Sequence, residues 1–422
     1  MFGGSVIRKL SHSEEVFAQY EVFTSMTIEL HGVVDVDALS DAFDALVEAH
    51  PVLASHIEPS PDGGWNLVAE DLLHSGLCVV DGTDTKPWGA GGGPPPGIQL
   101  DQTASLLNLR LALGKGTSLL TVYLHHSIAD GHHGAGLLDE LFTRYTEVVT
   151  NGDPGPITPE PAPAPLEVML ESRGIRRLGV TGVERFMPVM FAYDLPPSVR
   201  PTLIAHPGSP QSVPVTRVRL TEEETTDLVQ FCQDNRVSVN TVVAGAILMT
   251  EWQFRETPHV PIPYAYPVDL RYFLNPPVRP TESTNLVGVA TYLAEIGPDT
   301  DIVDLATDIG ATFRADLTDG LIQQSALNFG VAFEGTPPGL PPLVFCTDVS
   351  AFHIPTPEGM QLGEFHGQFF CSITVPLDFY GCGIQDGRMI IEHHGHIPAE
   401  EVLEAIRSLL CAVPSDYGMF ME

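Results

Sequence analysis

Residues 151–165 carry six prolines, at positions 154, 156, 159, 161, 163 and 165. Each locks its own φ and removes a backbone donor, so neither a helix nor a central strand can run through the stretch. An extended, semi-rigid connector is favoured instead. The 422 residues are therefore read as a first unit, 1–150, a Pro-rich connector and crossing segment, 151–213, and a second unit, 214–422. That division suits a chain long enough for two or three domains. A hydrophobic fraction of 43% supports a folded core in each unit.

Both units mix strands and helices. In the first, 23–30 is rich in β-branched and apolar residues. Asp35 or Asp37 then caps a helix whose apolar face is Ala38, Leu39, Ala42, Phe43, Leu46 and Val47, and Pro51 ends it. A Gly/Pro loop, 89–97, reads as a surface insertion, and strands at 106–113 and 118–124 flank Gly114-Lys115-Gly116 as a hairpin. A helix follows over 134–149. In the second unit, strands are expected at 215–220, 262–268, 287–296, 343–346, 368–375 and 389–394. Helices are expected from Thr221, from Ser238 or Asn240 to Trp252, over 302–317 and over 399–411. Interspersed elements give an α/β (α+β) fold class.

Acidic residues outnumber basic ones 54 to 20, a net charge of −34. So few cations disfavour a nucleic-acid partner or an anionic membrane surface. The longest good apolar run, 241–250, is about half of a membrane span. Met1 to Ser5 lacks a basic region leading into an apolar stretch, and the six cysteines form no C-x-x-C pair. A cytoplasmic protein with reduced thiols is the expectation.

The segment that carries chemistry is His125-His126-Ser127-Ile128-Ala129-Asp130-Gly131. It lies where a strand gives way to a helix, a common place for presenting reactive groups. Strand alternation puts His126 in the row of Leu120, Val122 and Leu124, and His125 with Thr121 and Tyr123. His126 is thus expected to be the desolvated imidazole, neutral and able to take a proton near pH 7. Asp130 can orient that imidazole or brace the loop by pairing with a cation. Paired histidines at a strand end are ordinary by themselves. The whole pattern HHxxxDG arises by chance on the order of once in several hundred such chains.

This pattern resembles the signature of the condensation-domain and CoA-dependent acyltransferase superfamily. The run from Val36 to Leu53, ending His50-Pro51-Val52-Leu53, is similar to that superfamily's first helix. Tyr266-Pro267-Val268-Asp269-Leu270-Arg271 and Thr284-Asn285-Leu286-Val287-Gly288 follow in the expected order. Ser5 to Glu15 and Leu343 to Asp348 look like the polyketide-associated acyltransferases in particular. The plant members' Asp-Phe-Gly-Trp-Gly is absent, with Pro376-Leu377-Asp378-Phe379-Tyr380-Gly381 in the comparable region.

The resemblance implies two chloramphenicol-acetyltransferase-like halves forming a pseudodimer with an inter-domain tunnel. Substrates entering from either face would meet at His126. It further implies a long, mycocerosyl-type acyl thioester on a polyketide synthase carrier protein or CoA, a phthiocerol-type diol or other long-chain alcohol as acceptor, and no cofactor. Asp130 would turn from the reaction centre to meet Arg271, with His125 and Gly131 as structural members of the motif. No acyl-enzyme is needed when both substrates are held together, and no G-x-S-x-G elbow suggests a serine hydrolase.

Two other readings compete. One is a metal-dependent hydrolase, because His132-His133 adjoin the motif and His393-His394-Gly395-His396 ends a strand, although no H-E-x-x-H exists. The other is a non-catalytic carrier-binding scaffold. Carrier proteins are usually acidic, so docking to a chain of charge −34 needs local positive charge. Arg173, Arg176 and Arg177 cluster after the connector, and the resemblance singles out Arg314, on the 302–317 helix, for partner contact.

Overall fold

The alternating segment Phe23–Gly32 is a strand in the computed structural model, with Met26, Ile28 and Leu30 in the core and Thr27, Glu29 and His31 less buried. The structure describes residues 4–69, 76–82, 91–193, 195, 210–328, 341–348, 354–372 and 378–418. Phe23–Gly32 lies inside a six-stranded sheet ordered Leu77–Asp81, Leu107–Leu113, Thr117–His125, Phe23–Gly32, Met360–Cys371 and Gln211–Ser212. Helices Val36–Ala49 and Gly131–Asn151 share its main apolar cluster, packing Leu39, Phe43, Leu138 and Leu141 with Leu109, Leu120 and Val122. The Asp35 carboxylate accepts from the Ala38 amide at 3.1 Å, and so starts the first of these helices.

A second six-stranded sheet is ordered Val287–Ala294, Ile262–Asp269, Val344–Asp348, Phe379–Gln385, Arg388–His394 and Val215–Arg219. Helices Glu222–Asp234, Val239–Phe254, Ile302–Thr318 and Glu400–Gly418 join its core, the first two capped by Thr221 and Ser238. Val239–Phe254 is apolar because it is buried among its neighbours, with Val242, Val243, Ala246, Ile247 and Leu248 all inaccessible. No helix among the described residues is long and apolar enough to cross a membrane.

The sheets are interlocked. Met360–Cys371 belongs to the expected second unit, yet it pairs with Phe23–Gly32 in the first sheet. The strand expected at 368–375 catches only its end, and 373–377 lie outside the described residues. Its pattern is irregular because the register shifts between Leu362 and Phe365, where Gly363 lies so close to the next strand that a Cβ would sit 3.0 Å from the Cβ of Glu29. The Pro-rich connector runs without regular structure to Ala164, which bridges to Ser283 of the second unit. Helix His12–Gln19 and strands Ser5–Lys9, Ser55–Pro59, Trp65–Ala69, Leu77–Asp81 and Phe379–Gln385 are additions to the sequence reading.

Candidate active site

Strand Thr117–His125 stops at the first motif histidine. The amide of His126 donates to Val22 O at 2.7 Å, and that of Ile128 to His125 O at 3.1 Å, so the backbone turns here. This turn changes the expected contrast within the pair: burial lowers the His126 pKa, as expected of a desolvated ring, but His125 is the more enclosed of the two. Alternation holds only for extended backbone, and His126 lies just beyond it. His125 is the fully buried ring, edge-on to Phe23 with centroids 4.7 Å apart. Its Nδ1 accepts from the Ser127 amide at 3.2 Å, and burial pushes its pKa down to about 3. His126 is half-buried and borders a cavity.

Asn285 holds the His126 ring in one tautomer. Its side-chain NH2 donates to His126 O at 2.6 Å, which turns its Oδ1 towards the ring Nδ1 at 2.9 Å. An amide oxygen only accepts, so Nδ1 carries the proton and Nε2 presents a lone pair. Phe17 stacks on the ring, with centroids 4.2 Å apart and planes 7° from parallel, and Phe369 lies 6.0 Å away. Burial lowers the His126 pKa from its ordinary value, and the charge of Asp130 opposes that shift. Sequence reasoning included Asn285 in a motif but assigned it no role; its partner lies 159 residues away.

Asp130 does not touch the imidazole. Its Oδ1 accepts from the His133 amide at 2.9 Å, capping helix Gly131–Asn151, and its Oδ2 accepts from Arg271 Nη1 at 2.7 Å and the Leu286 amide at 3.1 Å. The Asp130 and Arg271 side chains are 4% and 3% exposed, so the pair is desolvated. Burial pushes the Asp130 carboxyl up, but the Arg271 guanidinium outweighs it and holds the pKa below the ordinary value. Glu14, also buried, binds both terminal nitrogens of Arg8, at 2.6 and 2.8 Å, and accepts from Thr284 Oγ1 at 2.8 Å.

The cavity beside His126 measures about 320 Å³ and draws its wall from both units. Phe17, Val22, Met26 and Gly131 come from the first, and Asn285, Val287, Phe345, Phe369, Phe379 and His394 from the second. Arg314 is not at this wall. It stands exposed on helix Ile302–Thr318, of which it is the lone cation, with no ion pair among the described residues. Arg176 and Arg177 are also exposed, and Arg177 donates to Leu327 O; Arg173 donates to Met169 O at 3.3 Å. Of the other histidines, His133 donates Nδ1 to Ser283 O at 3.0 Å, and His132 faces Asp269 at 3.0 Å. Among the described residues, the three-residue group with metal-ligand proximity is Glu29, Glu364 and His366, none of them in the motif.

Residues 209–394 match the family profile described as "Phthiocerol/phthiodiolone dimycocerosyl transferase C-terminus". A phthiocerol/phthiodiolone dimycocerosyl transferase of Mycobacterium tuberculosis is 66% identical, with all of both chains covered. The solved structure of polyketide synthase associated protein 5 from Mycobacterium tuberculosis is 64% identical, with a TM-score of 0.88 over 98% of this chain and 100% of that one. The first condensation domain of the CDA synthetase, 15% identical, shares the fold at a TM-score of 0.65 over 97% of this chain and 96% of that one.

Removing either member of the Asp130–Arg271 pair strands the other charge. Asp130→Ala and Arg271→Ala should each cost about 3–5 kcal/mol of stability, with the double variant less than additive. Denaturant unfolding of the three variants checks this; full additivity would mean that the two groups act independently.

Proposed function

Because this chain belongs to the phthiocerol/phthiodiolone dimycocerosyl transferases, and so is an acyltransferase, we propose that His126 is the general base of an O-acyl transfer. A long, mycocerosyl-type acyl chain passes from a thioester, on a polyketide synthase carrier protein or on CoA, to the hydroxyls of a phthiocerol-type diol, giving a diester lipid. The observation that carries this reading is the Asn285 clasp. It places the proton on Nδ1 and so makes Nε2 the basic nitrogen, on a ring that borders a largely apolar cavity.

In each transfer Nε2 takes the proton of the alcohol as its oxygen attacks the thioester carbonyl. The C–O bond forms, the carbonyl oxygen becomes an oxyanion, and its collapse breaks the C–S bond. The imidazolium returns the proton to the leaving thiolate. Asn285 keeps Nδ1 protonated throughout, and the Asp130 charge favours the transient cation without touching it. Both substrates react while bound, so positioning supplies much of the rate.

Association with a polyketide synthase is supported by the relative of known structure. An acidic carrier needs a positive foothold on a chain of net charge −34, and the exposed Arg314, without an ion pair among the described residues, suits that role.

His126→Ala should lower transfer by about 10²–10⁴-fold with little loss of folding. His125→Ala removes a buried ring and should act more on stability than on transfer. Acyl transfer from acyl-CoA to a long-chain alcohol, read beside thermal unfolding, decides this; equal and complete losses in two folded variants would overturn the assignment of roles.

The base must be neutral, so the rate should fall as the pH drops through a pKa below the 6.5 of a free imidazole. Asn285→Asp places an anion on Nδ1 and should move that acid limb to higher pH. A pH–rate profile indifferent to this substitution would remove Asn285 from the mechanism.

Arg314→Glu should weaken transfer from a carrier-bound donor while sparing small acyl-CoA. Equal losses with both donors would assign Arg314 to the fold or the site instead.

A further inference from the structure

His393-His394-Gly395-His396 ends strand Arg388–His394 and takes no part in the transfer described above. His394 nevertheless borders the same cavity as His126. Phe369 stands between the two imidazoles, its ring centroid 6.0 Å from His126 and 6.1 Å from His394, so the two rings are no further apart than the sum of these distances. His394 stacks on Phe379, with centroids 4.5 Å apart and planes 8° from parallel.

The polar contacts of His394 fix its tautomer. Its Nε2 lies 2.9 Å from Glu392 Oε2, and Glu392 Oε1 accepts from Arg217 Nε at 2.7 Å. Burial raises the Glu392 carboxyl, but the hydrogen bond from His394 and the Arg217 charge outweigh it, and Glu392 stays ionised. A carboxylate only accepts, so in the neutral ring Nε2 is the donor and Nδ1 is left as a bare acceptor. That nitrogen is buried and has no partner among the described residues. A buried acceptor without a donor is costly and calls for a partner.

We propose that His394 is a second substrate-binding imidazole, whose Nδ1 accepts a hydrogen bond from a non-reacting N–H or O–H of the bound substrates. The inference rests on the acyl-transfer reading of this cavity. Two groups have the required chemistry. A pantetheine arm, common to CoA and carrier-protein thioesters, carries an amide N–H two methylenes from the sulfur. A diol acceptor carries a second hydroxyl beside the attacking one. Either would lie beside Phe369 while the reacting atoms sit at His126.

His394→Phe keeps an aromatic ring against Phe379 but removes the acceptor, and His394→Gln restores an acceptor beside a donor. With palmitoyl-CoA and a dodecane diol, the Phe variant should lose about three- to tenfold in kcat/KM, and the Gln variant should recover part of it. The loss should vanish with the ethyl thioester of palmitate if the amide is the donor, or with dodecanol if the second hydroxyl is. An equal loss with all four substrates, or none with any, overturns the proposal.

Direct observation guards against misfolded variants. In wild-type protein with isotope-labelled histidine, the His394 Nδ1 resonance should shift when CoA or the diol is added. A resonance unmoved by both, in a protein that transfers acyl groups, overturns the proposal. A resonance that moves in a protein without transfer activity upholds this binding role and sinks the acyl-transfer reading instead.

Discussion

The site depends on one buried carboxylate. Asp130 is enclosed where the two sheets' loops meet, and taking such a charge out of water costs several kcal/mol unless partners replace the water. Arg271 and the amides of His133 and Leu286 do so. The Asp130 amide also donates to Thr284 O at 3.0 Å. Backbone and side chain of one residue thus grip the chain immediately before and after Asn285. Between these two fixed points the Asn285 side chain reaches His126, so a group that makes no hydrogen bond to the imidazole determines which of its nitrogens carries the proton.

Glu14 does the same on the other side of the ring. Its carboxylate joins Arg8 and Thr284, and its carbonyl accepts from Ser127 Oγ at 2.8 Å. Helix His12–Gln19 is therefore tied to the motif turn and to the second unit, and Phe17, one helical turn after Glu14, is laid on the His126 ring. Packing by Phe17 and Phe369 restrains the imidazole and shields it from water, which lowers its pKa and favours the neutral ring.

Features set by local pattern were legible in the sequence. Asp35, Thr221 and Ser238 cap helices where short polar side chains precede apolar periodicity, and 23–30, 262–268 and 389–394 are strands because their composition is β-branched or apolar. Phe379–Gln385 was missed because Gly381 and Gly383 dilute its β signal. Met360–Cys371 was truncated because a register shift breaks its alternation. The desolvation of His126 was legible, but the fuller burial of His125 was not, because alternation was carried one residue past the strand end. Asn285, Glu14 and His394 act through partners distant in sequence or through cavity walls built from both units, which spacing along a chain does not encode.

The polar and apolar parts of the site have different chemical tasks. In the proposed transfer, a thioester beside a general base would be exposed to water as well as to alcohol, both attacking through the same base. The wall offers Phe17, Val22, Met26, Val287, Phe345, Phe369 and Phe379, side chains with no polar group to hold water near the carbonyl. Asp130 does border the cavity, but both its oxygens are already committed to Arg271 and backbone amides. Asn285 is likewise occupied by the ring and carbonyl of His126. Asp130 and Asn285, the polar groups that flank the imidazole, are thereby spent on other partners, and in the proposed transfer Nε2 is left to an alcohol that brings its own apolar chain. On that reading, discrimination against water would follow from burial: an alkyl alcohol gains by filling the wall, and water does not.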